Sequence, residues 1–235
     1  MLPMREEGAD AVWSLVVPLK PLVRAKSRLS AAADARFRPR LALAFALDTV
    51  GAALECPVVR DVAVVTDDPL AGSQLAELGA RIVADVPAAG LNPAIAYGAR
   101  AVRAVRPAAP VAALNADLPA LRPAELERVL AAAAQFPRAF LADAAEIGTT
   151  LLTAAPGAEL APAFGGASRA RHSASGAREI VLSGVPSVRQ DVDTPEDLRV
   201  ALELGVGPRT ARHTAAISAG IAALGAPGAL GASGA

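Results

Sequence analysis

Short apolar runs recur along the chain, separated by longer stretches in which apolar residues return every three or four positions. The runs predict buried strands, and the longer stretches predict amphipathic helices that cover them. The predicted strands are 13–18, 61–66, 81–84, 111–115, 139–142, 149–153 and 187–190. The predicted helices are 40–54, 71–78, 92–105, 123–134, 167–175 and 195–204.

Capping residues support several of these helix ends. Asn92 is predicted to be the N-cap of the third helix, with Pro93 at the first helical position. Thr194 is predicted to cap the last helix, which Pro195 opens. Gly79 is predicted to end the second helix as a helix-terminal glycine.

The alternation of strands and helices predicts an α/β fold with a mostly parallel central sheet and helices on both of its faces. A chain of 235 residues is long enough to fill the core of one such domain. We expect an N-terminal tail at 1–10, a single domain at 11–207, and an Ala/Gly-rich tail at 208–235. That last tail is expected to be mostly disordered, because it has few bulky side chains to bury.

Composition excludes several classes of protein. The formal net charge is zero and the pI is about 6.8, so no basic field is available for nonspecific nucleic-acid binding. Cys56 is the single cysteine, which excludes an intrachain disulfide and a zinc cluster. No apolar run reaches the roughly 18 residues of a membrane-spanning helix. Charged residues precede the first apolar stretch, unlike a signal peptide, so a soluble cytoplasmic protein is expected.

Only two of the 23 basic side chains are lysines, Lys20 and Lys26, and they lie close together after the first predicted strand. A position that keeps lysine in so arginine-rich a chain suggests a need for a compact ammonium. Phosphate oxygens approached from several directions are one such partner. The alternative is chance clustering of two residues.

Three aspartates are predicted to lie beyond strand ends, where ligands bind in open α/β sheets. Asp117 follows the fourth strand, and Asp191 and Asp193 follow the last one. Alternate residues of an extended segment point the same way, so the carboxylates of Asp191 and Asp193 can face one point. Such oxygen ligands would suit Mg²⁺. Alternatively, Asp193 is a helix N-terminal charge and Asp117 an ordinary turn residue before Pro119.

Two glycine-containing segments add candidate phosphate contacts. Thr149 follows a glycine at the start of a predicted strand, and Gly165 and Ser168 belong to a glycine turn that runs into a helix. Backbone N–H groups at such a turn can bind an anion. The alternative for the turn is a plain connection. His172 is interpreted as a structural hydrogen-bonding residue rather than a general base.

The order of these motifs is more specific than any one of them. They are LK at 19–20, AKSRL at 25–29, ADLPAL at 116–121, FG at 164–165 followed by Ser168 and His172, and DVDTPEDL at 191–198. The chain resembles the 2-phospho-L-lactate or phosphoenolpyruvate guanylyltransferases of deazaflavin coenzyme F-420 biosynthesis, from about Trp13 to Arg212. It lacks the glycine-rich first loop of the sugar and molybdopterin nucleotidyltransferases.

The resemblance implies a Rossmann-like, GT-A-like nucleotidyltransferase fold and transfer of GMP from GTP, with Mg²⁺, to the phosphate of a small acid. Site residues follow from it by position. The implied metal ligands are Asp117, Asp191 and Asp193; the implied phospho-acid contacts are Thr149, Gly165 and Ser168; the implied nucleotide contacts are Lys20, Lys26 and Asn92. The implied catalytic residues are Asp117, Lys20 and Lys26. The residues that recognise guanine are not identified.

Several alternatives stay open at this point. The bacterial branch of the family favours phosphoenolpyruvate as acceptor, but the residues do not separate it from 2-phospho-L-lactate or 3-phosphoglycerate. A glycosyltransferase on the same fold would bind a UDP-sugar in place of GTP. A noncatalytic module would bind GTP and release no pyrophosphate. Expected partners are the two substrates and a downstream transferase, with no nucleic acid and no membrane, for a monomer or homodimer.

Overall fold

The computed structural model of the protein describes residues 12–22, 37–86 and 88–215. The strands are β1 Trp13–Pro18, β2 Val59–Val65, β3 Arg81–Val83, β4 Val111–Leu114, β5 Arg138–Ala142, β6 Thr149–Ala154 and β7 Arg178–Glu179. The helices are α1 Phe37–Leu54, α2 Pro69–Glu77, α3 Leu91–Val105, α4 Pro123–Ala133, α5 Ser168–Ala174, α6 Pro186–Arg189 and α7 Pro195–Leu204. Residues 208–215 are also helical.

The strands form one sheet in the order β3-β2-β1-β4-β6-β5-β7. β1, β2, β3 and β4 are mutually parallel where they pair, and β5 pairs in parallel with β7. β6 is antiparallel to both of its neighbours, β4 and β5. Because β6 alone among the described strands is reversed, its first residue lies at the edge where the other strands end. The predicted mostly parallel α/β sheet is confirmed.

Alternate strand residues supply two cores, one on each face of the sheet. Leu15 and Val17 of β1 belong to the larger core, which includes residues of α1, α2, α4 and α6. Val16, between them, belongs to the second core, which includes residues of α3 and the ring of Phe164. This alternation is what a two-residue period produces when both faces of a sheet are covered.

Helix α3 lies very close to the sheet at Gly98. A Cβ built on Gly98 would meet Val16 Cγ1 and Val65 Cγ2 at 2.6 Å each. Side chains cannot approach so closely without a shift of one of the partners, so the absence of a side chain at this position sets the distance between helix and sheet.

Most predicted elements are confirmed within a few residues, and the cap of α7 is confirmed in detail. Thr194 accepts a hydrogen bond from Asp197 N, and the Asp197 carboxylate accepts one from Thr194 N, which together form a capping box. The predicted cap of α3 is wrong. Gly90, with φ 107°, is the N-cap, and Asn92 lies inside the helix. Pro93 is tolerated there because first-turn N–H groups lack helical partners.

The predicted last strand at 187–190 is also wrong, since these residues mostly belong to the short helix α6. Pro186 opens this helix; it has no N–H for a strand ladder, and its fixed φ suits a first helical turn. Ser187 then donates from both its backbone N and its hydroxyl to Glu125 Oε2, at 2.9 and 2.8 Å. Those bonds replace the strand pairing that the prediction assumed. The two-residue strand β7 was missed, because two residues are too few to show the alternation of apolar and polar positions that marks a strand.

Candidate active site

A cavity of about 360 Å³ opens at the edge of the sheet where the parallel strands end. The segments that line it include the loops after β1 and β4, the loop that joins β5 to β6, the loop before α5 and the loop between α6 and α7. The cavity is lined by Pro18, Leu19, Lys20, Ala42, Leu91, Asn115, Ala116, Asp117, Asp143, Gly148, Thr149, Phe164, Gly165, Gly166, Ser168, Asp191 and Asp193. Most of the predicted site residues are therefore brought together. Lys20 and Asp117 follow β1 and β4, as the strand-end rule requires, whereas Asp191 and Asp193 follow the helix α6 and not the predicted strand.

Lys20 lies on the cavity wall with its side chain exposed. Two backbone bonds hold its segment: Leu19 N donates to Val65 O at 2.9 Å, and Leu22 N donates to Asp68 Oδ2 at 2.9 Å. The other carboxylate oxygen of Asp68 caps α2. The described start of the loop after β1 is thus held against the N-terminus of α2, and Lys20 lines the cavity from this segment. Lys26 lies outside the described residues.

The three predicted carboxylates lie on two loops that run side by side. Val192 N donates to Asp117 O at 3.0 Å, and the Val192 side chain is fully buried. Asp191 and Asp193 flank this buried residue and both line the cavity, as the alternation of an extended segment predicts. Asn115 Nδ2 also donates to Asp191 Oδ2 at 3.4 Å. The role of Asp117, Asp191 and Asp193 as metal ligands stays a prediction.

The donor chemistry of this wall suits Mg²⁺, although the carboxylates do not form a closed cage. In the described part of the chain, no three Asp, Glu, His or Cys side chains are grouped so that they could hold a metal ion by themselves. Mg²⁺ is usually bound by one or two carboxylates together with substrate phosphates. The arrangement therefore fits a cation that arrives with a nucleotide better than one that is permanently bound.

Asp143 is a fourth cavity aspartate that the sequence analysis missed. It follows β5, and its carboxylate accepts hydrogen bonds from Ile147 N at 3.0 Å and Gly148 N at 2.8 Å. A Cβ on Gly148 would collide with the Asp143 carboxylate. The signal was available, since Asp143 comes one residue after a predicted strand, just as other site residues do. It was overlooked because it stands alone, without a neighbouring Asp or a proline.

The predicted phospho-acid contacts line the same cavity. Thr149 is the first residue of β6, and Ser168 is the first of α5; both are almost fully buried. Gly165 and Gly166 have φ values of 95° and 48°, which side chains rarely adopt. Ser168 N donates back to Gly166 O at 2.8 Å and closes the turn. The turn thus brings Gly165 and the Ser168 hydroxyl to the same cavity as Thr149.

His172 is buried next to Thr149, as its interpretation as a structural residue requires. Its Nδ1 lies 3.0 Å from Thr149 Oγ1, and its Nε2 accepts a hydrogen bond from Ala163 N at 3.0 Å. Burial, followed by the nearby charges of Arg138 and Arg171, lowers the pKa of His172 to about 4. The ring is therefore neutral at pH 7.

Asn92 is not on the cavity wall; its neighbour Leu91 is. The Asn92 Oδ1 accepts from Phe164 N at 2.7 Å, and its Nδ2 donates to Phe164 O at 3.1 Å. Both the oxygen and the nitrogen of the Asn92 amide thus form hydrogen bonds with the loop that carries Gly165. This pairing gives no support to the predicted nucleotide contact, which stays a prediction.

Arginines hold the same loop from its outer side. Arg171 Nε donates to Ala163 O at 3.1 Å, and its Nη2 donates to Gly165 O. Arg138 Nη2 donates to Leu160 O at 3.0 Å. Arg169, by contrast, forms ion pairs with two glutamates of the protein. These guanidinium groups are therefore engaged with the protein itself, and among the described residues that line the cavity the basic side chain is that of Lys20.

Comparison with known families gives one match over most of the chain. Residues 13–218 match the family described as guanylyl transferase CofC like. None of the helices in the described residues is long and apolar enough to cross a membrane.

Curated relatives agree with that match. A protein of Streptomyces coelicolor named phosphoenolpyruvate guanylyltransferase is 74% identical over 199 residues, which cover 85% of this chain and 94% of the relative. A protein of the same name from Thermomonospora curvata is 59% identical over 211 residues, covering 90% of this chain and 92% of the relative. The chain is thus similar to these proteins over nearly their whole length.

Solved structures show the same fold at low sequence identity. A nucleotidyl transferase from Methanothermobacter superposes with a TM-score of 0.57 at 21% identity, covering 82% of this chain and 97% of that one. A protein described as a nucleotide-diphospho-sugar transferase, from Desulfovibrio desulfuricans, gives a TM-score of 0.63 at 14% identity, covering 88% and 96%. At these identities the likeness establishes the fold and nothing further.

Proposed function

The chain belongs to the CofC-like guanylyl transferase family, and from that premise we propose that it transfers GMP from GTP to the phosphate of phosphoenolpyruvate, with release of pyrophosphate. The observation that carries the proposal is the composition of one cavity. Aspartates, a lysine, two hydroxyl side chains and a glycine turn line it together. A nucleotide triphosphate and a small phospho-acid need such a combination of groups in one place.

In the proposed reaction, an oxygen of the acceptor phosphate attacks the α-phosphorus of GTP. The bond from the α-phosphorus to the bridging oxygen breaks, and its electron pair leaves with pyrophosphate. The nucleophile is already an anion, so no general base is needed. The main obstacle is repulsion between two highly charged groups. The role of the protein is therefore positioning and charge stabilisation.

The residues divide these tasks among them. Lys20 would hold the triphosphate and stabilise the pyrophosphate as it leaves, and Lys26 is proposed to share this role. Thr149, Gly165 and Ser168 would hold the acceptor phosphate and aim one of its oxygens at the α-phosphorus. Asp117, Asp191 and Asp193 would hold Mg²⁺, which would supply neutralising charge.

The product would be an enol ester of a guanosine diphosphate, which is an activated compound. We place the step in coenzyme F-420 biosynthesis, where a downstream transferase would consume this product. GTP and phosphoenolpyruvate are cytoplasmic metabolites, so a cytoplasmic location follows from the proposal. The number of subunits stays open between a monomer and a homodimer.

The test is a direct assay of acceptor choice. Purified protein is incubated with GTP, Mg²⁺ and phosphoenolpyruvate, 2-phospho-L-lactate or 3-phosphoglycerate, and pyrophosphate release is measured. We expect release with phosphoenolpyruvate, at a kcat/KM at least tenfold above those of the other acids, and a guanylylated product in the mass spectrum. GTP binding without pyrophosphate release would instead indicate a noncatalytic module. Binding of a UDP-sugar in preference to GTP would indicate a glycosyltransferase.

A further inference from the structure

We propose that His172 is a positioning residue of the acceptor subsite, whose buried imidazole directs the hydroxyl proton of Thr149 into the cavity. The inference rests on the proposed function, because it takes Thr149 to bind the acceptor phosphate. It goes beyond that function by assigning a task to a residue that does not line the cavity.

The position of the ring is fixed from several sides. His172 is 0% exposed. Phe164 meets it edge-on with ring centroids 5.1 Å apart, and Phe140 lies 5.7 Å away in a tilted arrangement. Both ring nitrogens are engaged, Nδ1 with Thr149 Oγ1 and Nε2 with Ala163 N, each at 3.0 Å. A ring so enclosed cannot rotate without breaking both hydrogen bonds.

The hydrogen-bond partners determine the tautomer. Ala163 N can only donate, so Nε2 must present its lone pair and carries no proton. The ring is neutral at pH 7, because burial lowers the pKa of His172 to about 4. A neutral imidazole has one ring proton, which must then be on Nδ1. Nδ1 therefore donates to Thr149 Oγ1.

This donation decides what the threonine hydroxyl can do. Because Thr149 Oγ1 accepts from His172, its own proton points to another group. Within the described part of the chain, the bond with His172 is the side-chain hydrogen bond that Thr149 makes. Thr149 lines the cavity, so a phosphate oxygen bound there would accept a hydrogen bond from its hydroxyl group. Hydrogen bonds to an ionised acceptor are about twice as strong as neutral ones.

The same ring also supports the glycine turn. Ala163, whose N–H bonds to Nε2, precedes Phe164 and Gly165, and Asn92 holds Phe164 by both backbone groups. His172 thus connects the strand that carries Thr149 to the loop that carries Gly165. A general-base role is excluded, because the lone pair of Nε2 is used by Ala163 and Nδ1 carries a proton.

The first test compares two substitutions that each keep one of the two bonds. In His172→Asn the amide nitrogen lies near the position of Nδ1 and can still donate to Thr149. In His172→Gln the amide oxygen lies near the position of Nε2 and can still accept from Ala163 N. We expect His172→Gln to raise the KM for phosphoenolpyruvate roughly tenfold, as expected for a lost charge-assisted hydrogen bond. His172→Asn should raise it clearly less, and the KM for GTP should be unchanged in both.

A double-substitution cycle separates this role from a general loss of packing. Thr149→Val removes the hydroxyl that His172 is proposed to orient, while Thr149→Ser keeps it. In the Thr149→Val background, His172→Gln should raise the KM for phosphoenolpyruvate less than twofold further. Independent effects that multiply in the double variant would overturn the proposal.

A measurement on the unaltered protein covers the case in which the variants fail to fold. The chain has two histidines, so ¹⁵N-labelled histidine gives two sets of ring signals, and His213→Gln identifies those of His172. We expect chemical shifts of a neutral ring protonated at Nδ1 at pH 7. A ring protonated at Nε2, or a charged ring, would overturn the proposal.

The two proposals fail in different ways. If the unaltered protein releases no pyrophosphate from GTP and phosphoenolpyruvate, the proposed function fails. If it does release pyrophosphate but His172→Gln leaves the KM for phosphoenolpyruvate unchanged, the inference on His172 fails alone.

Discussion

The carboxylates of Asp117 and Asp193 face one cavity from two adjacent loops, and the proposed reaction depends on their charge. We expect Asp117→Asn and Asp193→Asn each to lower kcat by roughly 100-fold or more, as is typical when a group that stabilises the transition state is lost. The amide has nearly the same shape as the carboxylate, so the fold should be kept. Steady-state pyrophosphate release and a thermal unfolding curve measure the two effects.

Glu203→Gln is the matched control, because it also removes one negative charge but lies exposed on α7, away from the cavity. Its kcat should stay within twofold of that of the unaltered protein. A near-normal rate in Asp117→Asn or Asp193→Asn would remove that residue from the proposed metal site.

The lowered pKa of His172 predicts how the free energy of unfolding depends on pH. Its pKa falls from 6.5 to about 4 on folding, mainly because of burial. Between these values the unfolded chain binds a proton that the folded chain does not, so the free energy of unfolding falls as pH drops. The loss attributable to His172 between pH 7 and pH 4 is up to about 3 kcal/mol.

Urea unfolding at pH 7, 6, 5 and 4 measures this effect as a difference between two proteins. The His172→Gln variant should lose less stability toward pH 4 than the unaltered chain. His213→Gln serves as the control and should follow the unaltered chain. Parallel curves for His172→Gln and the unaltered protein would contradict the lowered pKa.

At the scale of single elements, the close approach of α3 to the sheet is the feature most open to test. Gly98→Ala would place a methyl group 2.6 Å from Val16 and Val65, both in the core. We expect a loss of roughly 1–3 kcal/mol in the free energy of unfolding, as is typical of overpacking.

Gly51→Ala is the control, because Gly51 also lies inside a helix but its added Cβ would meet nothing nearer than 4.0 Å. There the better helix propensity of alanine should stabilise the protein by about 0.5–1 kcal/mol. Opposite signs for the two substitutions in chemical unfolding would confirm the packing argument. Equal gains would show that the sheet yields to the extra methyl.

Two elements show where a local pattern is too short to decide. The segment at 187–190 has one apolar residue, Val188, and was predicted as a strand, yet Pro186 and the bonds of Ser187 to Glu125 place most of it in the helix α6. β6 was correctly predicted as a strand, but its reversed direction was not. The direction of a strand depends on the path of the connection before it, and the alternation of apolar residues is the same in both directions.

At the scale of the whole molecule, the folded part of the chain continues past the predicted domain end at 207. Asp48 on α1 accepts hydrogen bonds from Arg209 N at 3.2 Å and Thr210 N at 2.7 Å. Its side chain is 1% exposed, and the Arg209 guanidinium lies 3.7 Å away. A buried carboxylate thus binds the start of the helical segment at 208–215.

A chain that ends at 207 should therefore be less stable than the full chain. It loses two hydrogen bonds to the ionised Asp48 carboxylate, at a cost of about 2 kcal/mol or more. For a chain of this length, that corresponds to a fall of at least 4 °C in Tm. The measurement is thermal unfolding followed by circular dichroism.

A chain that ends at 215 is the comparison, because it keeps every contact of Asp48. If 216–235 is disordered, as its composition predicts, this chain should unfold at the temperature of the full chain. The described residues do not reach that tail, so its disorder stays a prediction. Equal Tm values for the chains ending at 207 and 215 would contradict the role assigned to Asp48.

The sequence alone determined the class of the fold, the family and part of the cavity wall. The family follows from the order of the motifs. The class of the fold follows from local chemistry, because apolar runs make strands, and the residues just after parallel strands lie at one edge of the sheet. That rule placed Lys20 and Asp117 at one edge of the sheet, and both line the cavity. Thr149 begins β6, so its place at the same edge depends on the reversed direction of that strand, which only the structure showed.

Only the tertiary structure decided which groups hold those residues in place. Asn92 pairs with Phe164, 72 positions away, and His172 joins Thr149 to Ala163. Asp48 binds a segment that lies 162 positions further along the chain. Such contacts arise because folding excludes water and obliges buried polar groups to find partners. The choice of partner depends on the path of the whole backbone, which no local pattern contains.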